Sequence, residues 1–162
     1  MAKDPATDLL LTPLDGDPRS LNDWMKTFHL VSVVLDPYTN ESSWILPTAA
    51  RILRGFQGAD VRVNFIVTSD AAGARSFLGP LAKEFLTFTD PDRQMVASLG
   101  LIHLPAFVFI RHDGTVAASA EGWEPKAWRK VADTIAVAAA WSTPNIPTLS
   151  DPAPFLGSVA TS

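Results

Sequence analysis

The sequence has 162 residues, a formal net charge of −4, 47% hydrophobic residues and 19% charged residues. This is the composition of one ordinary globular domain, long enough to bury roughly two thirds of its unfolded surface, and it excludes a disordered or fibrous protein. The basic residues form no continuous face to neutralise phosphates, so we expect no nucleic-acid partner.

The N-terminal stretch "MAKDPATDLLL" is polar where a signal peptide is apolar. Asp4 and Asp8 interrupt it, whereas a secretory signal requires an uninterrupted apolar region. The longest apolar runs elsewhere in the chain are also too short to span a bilayer. We therefore expect a cytoplasmic protein with no membrane partner.

The first predicted elements are a β-hairpin and a buried strand. The stretch "LLLTPLDGDPRSL" indicates an extended segment, a turn at Asp15-Gly16 and a return. From Leu30 to Leu35, five of six residues are apolar, and three of those are β-branched valines. This pattern is typical of a central strand that helices cover on both faces.

An amphipathic helix is predicted after the turn at 36–43. Its apolar residues recur at helical spacing: Ile45, Ala49, Ile52, Leu53 and Phe56. We expect Ser42 or Ser43 to cap its start and Pro47 to lie near the end of its first turn. Gly55 is expected to end it.

The second half of the chain alternates strands and helices. The predicted elements are a buried strand at 61–69, a helix at 71–85 interrupted near Gly79-Pro80, a brief strand at 86–90, a helix ending at Gly100, and a hairpin at 106–122 around Asp113-Gly114. The last helix begins at Pro125, and its apolar stripe is predicted to be Trp128, Val131, Ile135 and Ala138. This order predicts an α/β sandwich with parallel central strands and an antiparallel edge.

The C-terminal stretch, residues 142–162, is rich in proline and has no apolar period. We interpret it as an extended tail rather than a second domain. Residues 1–141 are predicted to form the single domain.

The chain resembles the thioredoxin-like superfamily and, within it, the redoxin branch of alkyl-hydroperoxide-reductase-like and TlpA/ResA-like proteins. Three stretches carry the resemblance, which extends from about Leu9 to about Ile135: "LDGDPRSLNDW", "LVSVVLDPYTNESSWILP" and "LTFTDPDRQMVASLGLIHLPAFVFIRHDGTV". It implies a three-layer sandwich in which helices flank a central mixed β-sheet, with an N-terminal β-hairpin extension. It also implies a cis peptide bond before Pro105.

The sequence departs from the family at its redox centre. The resemblance places the two cysteines of the family's Cys-x-x-Cys motif at Thr39 and Ser42, and a buried acid at Val33. The sequence has no cysteine, and a hydroxyl neither ionises like a thiol nor forms an exchangeable bond to sulfur. Thiol-disulfide and peroxidase turnover are therefore excluded, and we do not expect an enzyme of either kind.

We expect a redox-inactive thioredoxin-fold protein that acts as a protein-binding, peptide-binding or chaperone-like module. In the family, a groove beside the cis-proline receives an extended segment through backbone hydrogen bonds, a mode that needs no sulfur. The expected binding surface comprises Tyr38, Asn40, Glu41, Ser43, Trp44, His103, Leu104 and Pro105. The partner is expected to be a protein, a peptide or a second copy of the chain, with no cofactor.

Two other interpretations stay open. A redoxin-type oxidoreductase with non-cysteine chemistry would need a hydroxyl site from Thr39, Ser42, Glu41 and His103, although the glycine pattern of a nucleophile elbow is missing. A structural or regulatory subunit would dock through the proline-rich tail. The three histidines are scattered without metal-ligand spacing, so we expect no metal site.

Overall fold

A seven-stranded mixed sheet forms the centre of the computed structural model, which describes residues 1–160. The strands of the chain are β1 (Leu10–Pro13), β2 (Arg19–Ser20), β3 (His29–Leu35), β4 (Val61–Val67), β5 (Leu86–Thr89), β6 (His103–Leu104), β7 (Ala106–Ile110), β8 (Val116–Glu121) and β9 (Ser158–Val159). The order across the sheet is β2-β1-β5-β4-β3-β7-β8, while β6 and β9 form a separate pair. Strands β3, β4 and β5 are parallel, and the strands outside them are antiparallel. The predicted mixed sheet and N-terminal hairpin are confirmed.

Six helices cover the two faces of this sheet in the described part of the chain. They are α1 (Leu21–Trp24), α2 (Asn40–Arg54), α3 (Ala71–Leu78), α4 (Leu81–Glu84), α5 (Gln94–Leu99) and α6 (Pro125–Ala139). The apolar residues of α2, α3 and α6 join one core cluster, and those of α1 and α5 join the other. The result is the expected three-layer sandwich. Within residues 1–160, every helix is too short or too polar to cross a membrane.

Strand β3 shows why the sheet is buried on both sides. Because successive side chains of a strand point to opposite faces, Val31 and Val33 pack against the cluster that contains α2 and α6. Leu30 and Val34 pack against the cluster on the other face. All four side chains are fully buried, which confirms the prediction of a central strand covered by helices.

Helix α2 begins earlier than predicted, and the predicted caps are wrong. Thr39 is the N-cap residue and the helix starts at Asn40, so Pro47 lies inside the helix rather than in its first turn. Ser42 instead accepts a hydrogen bond from the backbone N–H of Asp36. The local sequence favoured the two serines as helix caps. It gave no sign that the turn is organised by Asp36, which is buried. Gly55 ends the helix, as predicted.

Helix α6 begins at Pro125 as predicted, but its buried face differs at the end. The buried residues are Trp128, Val131, Ala132, Ile135 and Ala136. Ala138, predicted for the stripe, is exposed. Residues spaced by four and eight positions from Trp128 lie on its face of the helix, and Ala138, ten positions on, turns away from it.

Residues 142–160 lie along the body of the protein. They are irregular except for β9, and they are held by side chains of the first 141 residues. Asp151 accepts hydrogen bonds from the hydroxyl of Thr48 (2.7 Å) and the guanidinium of Arg51 (2.8 Å), both on α2. Arg129 on α6 donates to the carbonyl of Ile146. The domain boundary at residue 141 stays a prediction, and residues 161–162 of the predicted tail lie outside the described residues.

Asp151 makes this attachment dependent on pH. Burial raises the pKa of its carboxyl, but hydrogen bonds from Thr148 N–H, Thr48 and Arg51 outweigh burial, so the pKa lies below its ordinary value. A lowered pKa in the folded state stabilises the fold above about pH 4, and that contribution is lost as the pH falls further.

We expect Asp151→Asn to lower the free energy of unfolding by about 1–3 kcal/mol near neutral pH, because a charge-assisted bond to Arg51 is lost. The difference from the native chain should shrink as the pH falls below about 4 and through the lowered pKa of Asp151, because its carboxyl then becomes protonated. Urea unfolding at several pH values measures it, with the exposed Asp17→Asn as the control. A difference that stays constant across this range would contradict the assignment.

Candidate functional site

The turn between β3 and α2 is built around Asp36, whose residue exposure is only 4%. Its carboxylate accepts a hydrogen bond from Tyr38 N–H at 3.1 Å. Its carbonyl accepts from the hydroxyl of Thr39 at 2.9 Å, and its N–H donates to the hydroxyl of Ser42 at 2.9 Å. The turn is therefore held in one shape by bonds to a single buried residue.

Arg93 neutralises Asp36. Their side chains form an ion pair with 2.7 Å between Nη2 and Oδ2, and they are 20% and 5% exposed respectively. Arg93 adopts a left-handed backbone conformation (φ 55°) just before α5. Its other amino group donates to the carbonyl of Ala160. Arg93 thus joins the turn, the start of α5 and the C-terminal segment.

Asp90 fixes the start of α5 and so the position of Arg93. Its two carboxylate oxygens accept hydrogen bonds from Met95 N–H and Val96 N–H, each at 3.1 Å. Burial raises the pKa of Asp90 above its ordinary value, although these bonds and the nearby Arg93 act in the opposite direction. The bonds hold Asp90 as a cap for α5.

The loop that contains Pro105 lies at the same end of the sheet as this turn. The Leu104–Pro105 peptide bond is cis, as expected from the sequence. Val34 is paired with Ala106 in the antiparallel β3–β7 ladder. Asp36 and Leu104 therefore extend past the same end of the two adjacent strands, and the predicted surface residues of the turn and of the loop lie in one region.

The backbone edge of this loop is already paired. Strand β9 lies antiparallel to β6, with Ser158 opposite Leu104 and Val159 opposite His103. Ala160 N–H donates to the carbonyl of Ile102 at 2.9 Å, which extends the pairing by one residue. The C-terminal segment therefore occupies the position beside the cis-proline where the resemblance implies an extended partner.

Two aromatic side chains of the predicted surface are exposed. Tyr38 is 75% exposed and Trp44 is 54% exposed. The ring of Trp44 meets the ring of Phe155 edge-on, with 5.6 Å between centroids. A cleft of about 490 Å³ continues past Phe155 and Leu156 toward Trp123. This part of the surface therefore offers apolar contacts beside the paired edge.

The two hydroxyls that a non-cysteine active site would use already form hydrogen bonds within the turn. The hydroxyls of Thr39 and Ser42 bond to the backbone of Asp36, and Ser42 is fully buried. The backbone N–H of His103 donates to the carboxylate of Glu121. Within residues 1–160, no hydrogen bond joins either hydroxyl to the imidazole of His103.

The similarity of this chain to known proteins lies in its structure. No protein family matches the chain by sequence, and no curated protein does either. A secreted Mycobacterium tuberculosis disulfide oxidoreductase homologous to E. coli DsbE is similar over 81% of this chain and 96% of its own, with a TM-score of 0.61 and 21% identity. The putative thiol:disulfide interchange protein DsbE from Chlorobium tepidum is similar over 86% and 98%, with a TM-score of 0.69 and 18% identity.

A third similar structure is that of the Xanthomonas campestris bacterioferritin comigratory protein, described as having alkyl peroxide reduction activity. It matches over 82% of this chain and 93% of its own, with a TM-score of 0.65 and 16% identity. The chain has a thioredoxin-like fold. At these identities the likeness concerns the fold alone.

The turn and the proline loop of this thioredoxin-like fold were predicted from the sequence, but the roles of Asp36, Arg93 and the segment 155–160 were not. Asp36 could have been noticed as an acidic residue directly after a buried strand, and Gly157 as a site of close backbone approach. No spacing along the chain connects either of them to Pro105. Only the folded structure brings them together.

Proposed function

We propose that this chain is a redox-inactive thioredoxin-fold protein that binds an extended peptide or protein segment as a strand added to β6. What supports the proposal is the pairing of β9 with β6, directly beside the cis Leu104–Pro105 bond. That edge accommodates an extended segment of this chain's own sequence. Strand addition uses backbone N–H and C=O groups, so it needs no thiol.

The proposed surface combines this edge with the side chains of the turn. Leu104 and His103 supply the backbone partners, while Tyr38 and Trp44 supply exposed apolar area of the kind that interfaces favour. Asn40, Glu41 and Ser43 are proposed to line the polar margin at the start of α2. A module of this kind binds unfolded or extended segments, which is a chaperone-like activity.

The three similar proteins are described as oxidoreductases or peroxide-reducing proteins, and this activity is the alternative. The sequence has no cysteine, and the resemblance places Thr39 and Ser42 at the positions of the Cys-x-x-Cys motif. No observation favours non-cysteine redox chemistry, since both hydroxyls are bonded to the turn. Purified protein should reduce insulin and consume peroxide no faster than a no-protein blank, and a rate above the blank would overturn the redox-inactive proposal.

The binding mode can be tested with peptides that are selected from a random-sequence library for binding to the full chain. A single N-methyl group at the residue that faces Leu104 should weaken binding about tenfold, because one main-chain hydrogen bond is removed. Methylation at the neighbouring residue, whose N–H points away, should change little. The same peptides should bind the Tyr38→Ala, Trp44→Ala double variant more weakly. Selection of no peptides, or tolerance of N-methyl groups at every position, would contradict strand addition.

Two further properties are proposed with this function. A second copy of the chain is a partner, because it carries the same segment 157–160 that pairs with β6 here, and light scattering at increasing concentration would detect the dimer. The cytoplasm is the proposed location, although one similar protein is described as secreted. Fractionation of the native host measures the location directly.

A further inference from the structure

The backbone contacts of Gly157 indicate which peptide sequences the β6 edge can bind. This inference rests on the proposed function. We infer that residues 157–160 are a resident ligand that an outside partner must displace. We also infer that the edge selects the pattern of this segment: a glycine, a small hydroxyl residue, any residue and an alanine.

The first position requires glycine because two backbones touch there. Gly157 has φ 95°, and a Cβ on it would lie 2.7 Å from the carbonyl oxygen of Leu104 and 3.1 Å from the Cα of Gly122. Gly122 has φ 70°, and a Cβ on it would lie 2.2 Å from the carbonyl oxygen of Leu156. A side chain at Gly157 or Gly122 would push the C-terminal segment away from the backbone that it contacts.

The second and third positions differ in what they contact. Ser158 lies opposite Leu104, and its hydroxyl donates to the carbonyl of Leu104 at 3.3 Å. Val159 lies opposite His103 but is 57% exposed. A small hydroxyl residue is therefore favoured at the second position, and the third is open to any side chain.

The fourth position is a closed pocket with bonds to the main chain. Ala160 is fully buried among the apolar residues between the sheet and α5. Its N–H donates to Ile102, and its carbonyl accepts from Arg93. Since Arg93 also pairs with Asp36, the guanidinium is held in place to receive the carbonyl of any segment that enters. Side chains larger than alanine meet the packed core.

Covalent attachment gives the resident segment an advantage over outside peptides. Phe155 exchanges two backbone hydrogen bonds with Trp123, at 2.8 and 3.0 Å, which holds the segment just ahead of Gly157. A tethered ligand acts at a high effective concentration, and the apparent affinity for an outside peptide falls with the fraction of open edge. Release of residues 157–160 should therefore increase peptide affinity.

The test uses full-length chains and a fluorescent peptide, acetylated and amidated, with the sequence of residues 153–160, "APFLGSVA". Gly157→Ala should release the segment, because its Cβ cannot fit against Leu104. Gly16→Ala is the matched control: its φ is also positive, at 114°, but its Cβ would have only an ordinary contact with Pro13, at 3.7 Å. The second peptide carries Gly157→Val.

We expect the Gly157→Ala chain to bind the glycine peptide about tenfold more tightly than the native and Gly16→Ala chains do, and to bind the valine peptide about tenfold more weakly than the glycine peptide. Hydrogen exchange at the Ala160 amide should be slow in the native chain and fast in Gly157→Ala. Ala160→Glu, which disrupts the buried end of the segment, gives a second released chain, and slow exchange in β3 verifies that each variant is folded.

The outcomes separate this inference from the proposed function. Equal binding of the glycine peptide by native and released chains would overturn the resident ligand, and equal binding of the two peptides would overturn the selection. A protected Ala160 amide in Gly157→Ala would overturn the requirement for glycine, and an unprotected one in the native chain would overturn residence. In each of these four cases, binding of the peptides would still support strand addition to β6. A released chain that binds neither peptide would overturn the proposed function as well.

Discussion

A chain that carries Thr39→Cys and Ser42→Cys is expected to form a reversible disulfide and, with a small dithiol as the terminal reductant, to catalyse the reduction of insulin, while the native chain stays at the level of a no-protein blank that contains the same dithiol. Thr39 occupies the N-cap position of the 15-residue helix α2, and Ser42 lies in its first turn. The positive end of the helix dipole favours a thiolate there, so the pKa of a cysteine at this place should be below its ordinary value near 8.5. The scaffold thus keeps the electrostatics that a thiol would use.

Burial assigns different roles to the two introduced thiols. Thr39 is partly exposed, whereas Ser42 is fully buried. The thiol at position 39 would attack a substrate disulfide, and the thiol at position 42 would then attack the mixed disulfide and release the reduced substrate. Loss of the Ser42 hydroxyl weakens the acceptor for Asp36 N–H, which should lower the free energy of unfolding by about 1 kcal/mol.

A matched pair of variants makes the comparison specific. Thr39→Cys with Ser43→Cys introduces the same number of thiols, but position 43 is exposed, and its hydroxyl lies 3.5 Å from the carbonyl of Thr39 rather than against the N–H of Asp36. The 39/42 pair should exceed the blank in insulin reduction by about tenfold or more, and the 39/43 pair should not. Addition of Gly157→Ala should increase the rate of the 39/42 pair, because it frees the edge beside Pro105. A 39/42 pair that stays reduced under mild oxidant would show that this turn no longer supports dithiol chemistry.

The framework of the fold was predictable because it depends on local patterns. The apolar run at Leu30–Leu35 specifies a strand buried on both faces whatever surrounds it, and the structure confirms this. Gly100 ends α5 for a local reason as well, because it adopts the left-handed conformation (φ 66°) that favours glycine. The position of Pro105 relative to the turn then follows from the register of β3 and β7.

The parts of the site that escaped prediction depend on contacts between distant residues. Asp36 and Arg93 are 57 positions apart, and each is an ordinary polar residue when only its neighbours are considered. The pairing of β6 with β9 involves two residues on each strand, which is too short for a periodic signal. The predicted serine caps of α2 were wrong for the related reason that Asp36, not a local cap, organises the turn.

The largest loss of stability from one change in the site is expected for Asp36→Ala. The substitution leaves the guanidinium of Arg93 without its carboxylate at a position where its side chain is only 20% exposed. Removing one partner of a buried ion pair typically costs about 3–5 kcal/mol, and partial exposure favours the lower end of that range. The bond from Tyr38 N–H is lost at the same time. Urea unfolding measures the change in the free energy of unfolding.

The double variant Asp36→Ala, Arg93→Met separates the cost of an unpaired charge from the value of the pair. Because it removes both charges, it should be less destabilised than the sum of the single variants, with a coupling of about 1–3 kcal/mol. Asp15→Ala breaks the ion pair with Arg75 at an aspartate that is 93% exposed, so it should change stability little. If Asp36→Ala cost no more than Asp15→Ala, the ion pair would not be what holds the turn. Peptide binding at the β6 edge would then depend on the backbone of β6 alone, because the guanidinium of Arg93 would not be held in position to donate to a carbonyl.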